Sequence, residues 1–375
     1  MASCVRSHRR DVKLSLGDRV VVVKQNRSKL INCFAVMLYL VMMFTPWSAD
    51  AATINEFRIP TADSGPAGII TGPDGNLWFT EQNARKIGRI TTDGVITEFL
   101  VPSPNALPLF ITAGPDGNLW FTESTNMIGR ITTQGVITEF PLPPAFGGPG
   151  QITLGPDGNL WFTNLGSSLI GKMTTSGIVT EYGRNIYDLT AGPDVNLWGT
   201  EIYSDAIAKV TTSGVFTEYM LPGGDTARFP FEIAAGPDGN LWFTEIRTNR
   251  IGMITPSGAI TEFPTSSKTY SIAAGPDGNV WFSEPFVNKI GRITPKGIIT
   301  EFQIPSTITP LYMEIVSGPD GNIWFTAFGA NIIGKITLQE KVSVPAIDEW
   351  GIIMFMIFAG LGSCYYLMRR RRIYG

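Results

Sequence analysis

At 375 residues, with 29 Lys+Arg against 32 Asp+Glu, one histidine and three cysteines, the chain has length for two ordinary domains but few of the groups that most catalytic centres use. Residues 52–344 hold 27 Asp+Glu and 17 Lys+Arg, so this stretch lacks the basic face that phosphates require, and no nucleic-acid partner is expected. Cys4, Cys33 and Cys364 all lie in the end segments, which excludes a disulfide framework, a thiol nucleophile or a cysteine–zinc centre from the rest.

In chain order the first feature is an address. Residues 30–44 form an apolar run preceded by Lys24, Arg27 and Lys29 and followed by Ala49-Asp50-Ala51, a small-x-small pattern. Residues 1–51 therefore read as a signal peptide with a long n-region, and the chain as exported.

Residues 52–341 are dominated by one decapeptide. GPDGNLWFTE starts at Gly72, and close copies start at Gly114, Gly155, Gly192, Gly236, Gly275 and Gly318, a period near forty. Within one period, residues 54–57 alternate as a strand and residues 68–71 begin another. Pro73-Asp74-Gly75-Asn76 supplies Pro where φ is near −65° and Gly where φ is positive, so it predicts a hairpin turn. Residues 77–80 and 87–90 are the next strands, with a tight turn at Thr92-Asp93-Gly94. Four antiparallel strands in about forty residues make one blade, and seven copies predict an all-β, seven-bladed β-propeller. A TEF-like strand precedes the first GPDGN and none follows the last, so residues 54–57 are expected to complete the final blade and close the ring. In the repeat, Gly-Pro-Asp-Gly-Asn is assigned to the turn and Leu-Trp-Phe to packing between blades.

This strand order puts the GPDGN and T-x-x-G turns on one face and the variable loops on the other, which is arranged like a binding platform. Just before the inner strands, Asp188, Glu232 and Glu314 interrupt the repeat, and Tyr187 and Tyr270 stand at the preceding position of their blades. These five are the predicted ligand-binding residues, for a small molecule, peptide or glycan. The last repeat position gives Glu81, Glu123, Glu201, Glu245 and Glu284, with Asn164 and Ala327 in the other two blades. The five glutamates are candidate metal ligands ringing the variable face; alternatively they pair with Arg85, Arg250 or Lys289, or cap strand ends.

After the repeats come a linker (342–350), an uncharged run of eighteen residues (351–368) and a basic tail (369–375) with four consecutive arginines. The run is long enough to cross about 30 Å of hydrocarbon, and the arginines place the repeats outside. VPAIDEWG, starting at Val344, resembles the IPTL-type C-terminal sorting signal, which implies inner-membrane anchoring and processing machinery that delivers the protein to the surface or matrix. A plain tail anchor is the other reading. The propeller is expected to be a monomer.

The units GPDGNLWFTE, NKIGRIT and GxITEF resemble the streptogramin B lyase (virginiamycin B lyase) family across residues 54–337. The resemblance implies a seven-bladed propeller and a carbon–oxygen lyase that opens the lactone of a cyclic depsipeptide by Mg2+-assisted elimination. It also implies a histidine base before an inner strand and a metal-holding Glu at the last repeat position of the final blade. Here the one histidine is His8, in the leader, and that final position is Ala327. Tyr187 and Tyr270 occupy histidine-equivalent places. Two functions follow: a binding module on the variable face, or a divalent-metal-dependent lyase with a base other than histidine.

Overall fold

The computed structural model describes residues 12–16, 19–23 and 52–338, apart from 165, 224–227 and 307–309. Two compact units are present, one comprising Ala52–Val342 and the other the flanking segments. Of the second, a two-stranded antiparallel sheet is described, Val12–Leu16 paired with Arg19–Val23. The predicted signal run, sorting motif and C-terminal span lie outside the described residues. Among the described residues no helix is long and apolar enough to cross a membrane.

Ala52–Val342 holds seven four-stranded antiparallel sheets. Blade 1 runs from the inner strand Pro66–Thr71 through Leu77–Glu81 and Lys86–Ile90 to the outer strand Ile96–Leu100. Blades 2 to 6 repeat this order. Blade 7 consists of Ile315–Ser317, Ile323–Ala327 and Ile332–Leu338, and its outer strand is Ala52–Arg58, paired from Ala52↔Leu338 to Arg58↔Ile332. The ring is thus closed by the first strand of the unit, as the surplus TEF predicts.

The repeat explains itself in the packing. Strand alternation sends Trp78 toward blade 2 and Phe79 toward blade 7. Trp78 is fully buried and stacks on Phe99 of its own outer strand at 5.5 Å, and the Arg89 guanidinium lies over both rings. The indole N–H of Trp78 donates to Asp74 Oδ1 at 3.0 Å. Asp74 also accepts from the side chain of Asn76 at 2.8 Å, and Gly75 turns at φ +74°. The Asp of the turn is therefore the buried indole's hydrogen-bond partner, which is why Asp and Trp recur four residues apart. Phe79 lies flat on Gly88, where an added Cβ would stand 2.1 Å from the ring.

Neighbouring blades are stitched by the Thr of the repeat. Thr80 Oγ1 accepts from Gly68 N–H in its own inner strand at 2.9 Å and donates to the Leu109 carbonyl of blade 2 at 2.7 Å. Thr326 closes the circle by donating to Ala67 O at 2.7 Å. The same donation is made by Thr163, Thr200, Thr244 and, in blade 6, Ser283, and it fixes the residues that lead into the next inner strand, where the candidate site lies.

Candidate functional site

The inner strands do not all begin alike. In blades 1, 2, 3 and 5 they are six residues long, start at a proline and carry a register shift. In blades 4, 6 and 7 they are three residues long, Leu189–Ala191, Ile272–Ala274 and Ile315–Ser317. The residues just ahead of these short strands, together with the start of blade 5, bring together all five predicted ligand-binding residues.

Asp188, Glu232 and Glu314 are held by the Thr of the second strand, whose hydroxyl accepts from their backbone N–H at 3.1–3.2 Å. Asp188 is buried, and both carboxyl oxygens are engaged. Oδ1 accepts from Leu189 N–H at 2.8 Å, and Oδ2 accepts from Ile233 N–H of blade 5 at 2.7 Å. Ser271 plays the same bridging part between blades 6 and 7, its hydroxyl accepting from Ile315 N–H. Glu232 and Glu314 meet at the hydroxyl of Tyr312, which lies 2.9 Å from Glu232 Oε1 and also contacts Glu314 Oε2. The single phenolic proton can serve one of these carboxyls. The other must itself be protonated and donate.

The titration shifts agree with a shared proton. Burial pushes Asp188 up to about 8, against the opposing hydrogen bond from Ile233. Glu314 rises to about 7 through burial, with the Tyr312 contact opposing. Glu232 sits well above the usual carboxylate range through burial and then the charges of Glu314 and Asp188. Burial raises the Tyr187 and Tyr312 phenols, and Tyr270 as well. None of these tyrosines is a base near neutral pH.

Aromatic rings form an arc around this group. Tyr187 and Phe231 have centroids 4.4 Å apart, and Phe231 meets Tyr270 edge-on at 5.3 Å. Tyr270 in turn contacts Phe286 at 5.6 Å and Tyr312 at 6.3 Å. Phe286 is 51 % exposed, whereas the others are half-buried. The sequence reading missed Tyr312, Phe231 and Phe286 as site residues. Tyr312 stands ahead of the inner strand that begins at Ile315, so no strand periodicity marks it.

The five repeated glutamates are placed differently from the predicted ring. Each second strand extends one residue further than expected, to Glu81, Glu123, Glu201, Glu245 and Glu284, and all five are buried. Four of them, Glu81, Glu123, Glu201 and Glu284, stand beside the Glu of their own blade's TEF strand. Burial, and next the charge of Glu98, lifts Glu81 to about 8. Burial lifts Glu123 and Glu284 to about 7, with Glu139 and Glu301 adding to it. Of the expected ion-pair partners, Arg250 and Lys289 instead hold the outer-strand carboxylates Glu262 and Glu301, at 2.7 and 2.6 Å. Lys86, next to Arg85, likewise holds Glu98 at 3.0 Å. Among the five, Glu201 makes a two-pronged pair, with Arg184 at 2.5 and 2.9 Å. Among the described residues no group of three or more His, Cys, Asp or Glu is placed to hold a metal ion.

The family model of the virginiamycin B lyase family matches residues 48–184 and 184–364. The chain belongs to the virginiamycin B lyase family. A solved streptogramin B lyase structure is 38% identical, covers 77% of this chain and 98% of its own, and superposes with a TM-score of 0.71. A catalytically inactive histidine-to-alanine variant of virginiamycin B lyase from Staphylococcus aureus, solved with quinupristin, is 39% identical over 77% of this chain and 100% of its own, with a TM-score of 0.71. A virginiamycin B lyase from Bacillus licheniformis is 43% identical over 43 residues, which is 12% of this chain and 15% of that protein.

The magnesium implied by the family does not fit the carboxyls found here. Asp188 spends both oxygens on backbone N–H groups, Glu232 and Glu314 share a phenol, and the last-blade position is the buried Ala327. A Mg2+ site needs several converging oxygens to build a near-octahedral shell, and among the described residues no group of three or more such side chains converges.

Proposed function

We propose that this protein is an exported, membrane-tethered binding module whose ligand sits on the variable face at blades 4 to 7. The observation that carries the reading is the Glu232–Tyr312–Glu314 group set within an arc of aromatic rings. Rings of this kind give flat apolar contact, and a carboxyl pair fixed by one phenol gives positioned acceptor oxygens, a pairing suited to a small molecule, peptide or glycan with hydrogen-bonding edges. The lone histidine, His8, lies outside the propeller unit, so an imidazole base is missing from the face where the family's resemblance places one. Export and tethering are supported by the apolar runs 30–44 and 351–368 and the four arginines that follow the second.

The full chain in detergent should bind a peptide or glycan from an array equally well with magnesium or with EDTA, and Phe231→Ala should weaken binding at least about tenfold. Incubated with quinupristin and magnesium, it should leave the cyclic depsipeptide intact. A product of unchanged mass and shifted retention would mean elimination, and the divalent-metal lyase reading would replace this one.

A further inference from the structure

Both ends of the propeller unit leave from one face. Ile332–Leu338 runs toward the side of the T-x-x-G turns, and Ala52–Arg58 starts there, with Ala52 opposite Leu338. In sequence, twelve residues (339–350) separate Leu338 from the uncharged run 351–368, and seven (45–51) separate Ala52 from the run 30–44. Twelve residues reach at most about 40 Å when fully extended. A bilayer holding the C-terminal run would therefore be tethered from the turn-face side of the unit.

That face carries a repeated apolar feature. Directly after the glycine of successive T-x-x-G turns stand Val95, Val136, Ile178, Val215 and Ile298, each 61–67 % exposed. Core packing does not account for an exposed Val or Ile at the same place in five blades, with Ala259 in a sixth. The ionic groups of the face are largely matched. Six of the seven turn aspartates are paired with third-strand cations, as in Lys209–Asp194 at 2.6 Å and Lys335–Asp320 at 2.7 Å, while blade 5 has Met253 in place of the cation beside Asp238. Within the T-x-x-G turns themselves, Asp93 and Lys296 offset each other in charge. The opposite face presents loops over Asp188, Glu232 and Glu314.

We propose that the turn face docks on a lipid surface, with its aliphatic ring settled among the headgroups and the ligand face turned outward. The proposal rests on the tethering part of the function argued above. A short tether turns docking into an intramolecular step, so five modest apolar contacts with little unpaired charge suffice.

The test uses the full chain with Cys4, Cys33 and Cys364 changed to Ser, reconstituted in vesicles of phosphatidylcholine and phosphatidylglycerol. A polarity-sensitive NBD probe is placed by Val136→Cys, Ile178→Cys or, on the ligand face, Tyr203→Cys, which is 82 % exposed. Nitroxide-headgroup lipid should quench the probes at 136 and 178 about threefold more than the probe at 203, and Val95→Asp with Val215→Asp should abolish the difference while the chain still floats with the vesicles. Equal quenching at all three sites in floating protein would overturn docking and leave tethering intact. Failure to float would overturn both. Probes shielded from water but not quenched by lipid, with cross-linking between copies, would overturn lipid docking in favour of face-to-face pairing.

Discussion

Blades 1 and 4 share a fold but not a duty. In blade 1, Phe79 rests on Gly88 and the inner strand is six residues long. In blade 4 the aromatic is replaced by Gly199, the glycine beneath it by Ala208, and the vacated volume is filled from the side by Ile186, whose Cγ2 would meet a Cβ on Gly199 at 2.4 Å. Ile186 is followed at once by Tyr187 and Asp188. The blade that abandons the repeated packing is thus one that delivers residues to the axial group, and its compensation comes from the loop that carries them. A repeat can be broken for function where the breaking segment also refills the core.

The strongest way to break this comparison is through the glycines. Gly88→Ala forces a methyl group into the Phe79 ring and should cost about 3 kcal/mol, whereas Ala208→Gly in blade 4 should cost about 1 kcal/mol, read as shifts in urea midpoint. Equal losses would mean that blade 4 packs like the others. Next comes the stitch that blade 1 lacks. Asp188→Ala strips the acceptor from Leu189 and Ile233 N–H and should lower stability by about 2 kcal/mol, while Gly68, its counterpart in blade 1, has no side chain to contribute.

The smallest effect is one of sign. Glu81 has a folded-state pKa of about 8, above its unfolded value, so its favourable contribution is complete below about pH 4.5 and is lost as pH rises through 8. Glu81→Gln should therefore gain on the parent by roughly 1 kcal/mol for each pH unit from pH 5 to pH 7. Glu201→Gln gives up an Arg184 pair and should be less stable than the parent at pH 7. Thermal melts across that range would separate the two.

The architecture was legible because each blade is specified locally, by Asp74 to Trp78, by Gly75 and Gly94, and by alternation along Leu77–Glu81. The same alternation also contained the fate of Glu81. It lies two residues after Phe79, on the same inter-blade side, and ending the strand at Thr80 hid its burial. The axial group was half legible. Departures from the repeat flagged Tyr187, Asp188, Glu232, Tyr270 and Glu314, but Tyr312 and Phe286 sit in loops whose course depends on neighbouring blades. The pairing of Glu232 with Glu314 crosses two blades and 82 residues of sequence, a proximity that ring closure creates.

Closure also sets a clock. Ala52 pairs with Leu338, 286 residues later, so the outer strand of blade 7 has no partner until nearly the whole unit has been made. At about 5–20 residues per second that wait is roughly 15–60 s. During it, six blades can mature on local contacts while the newborn chain carries an unpaired edge at each end, of the sort that invites pairing with a second copy.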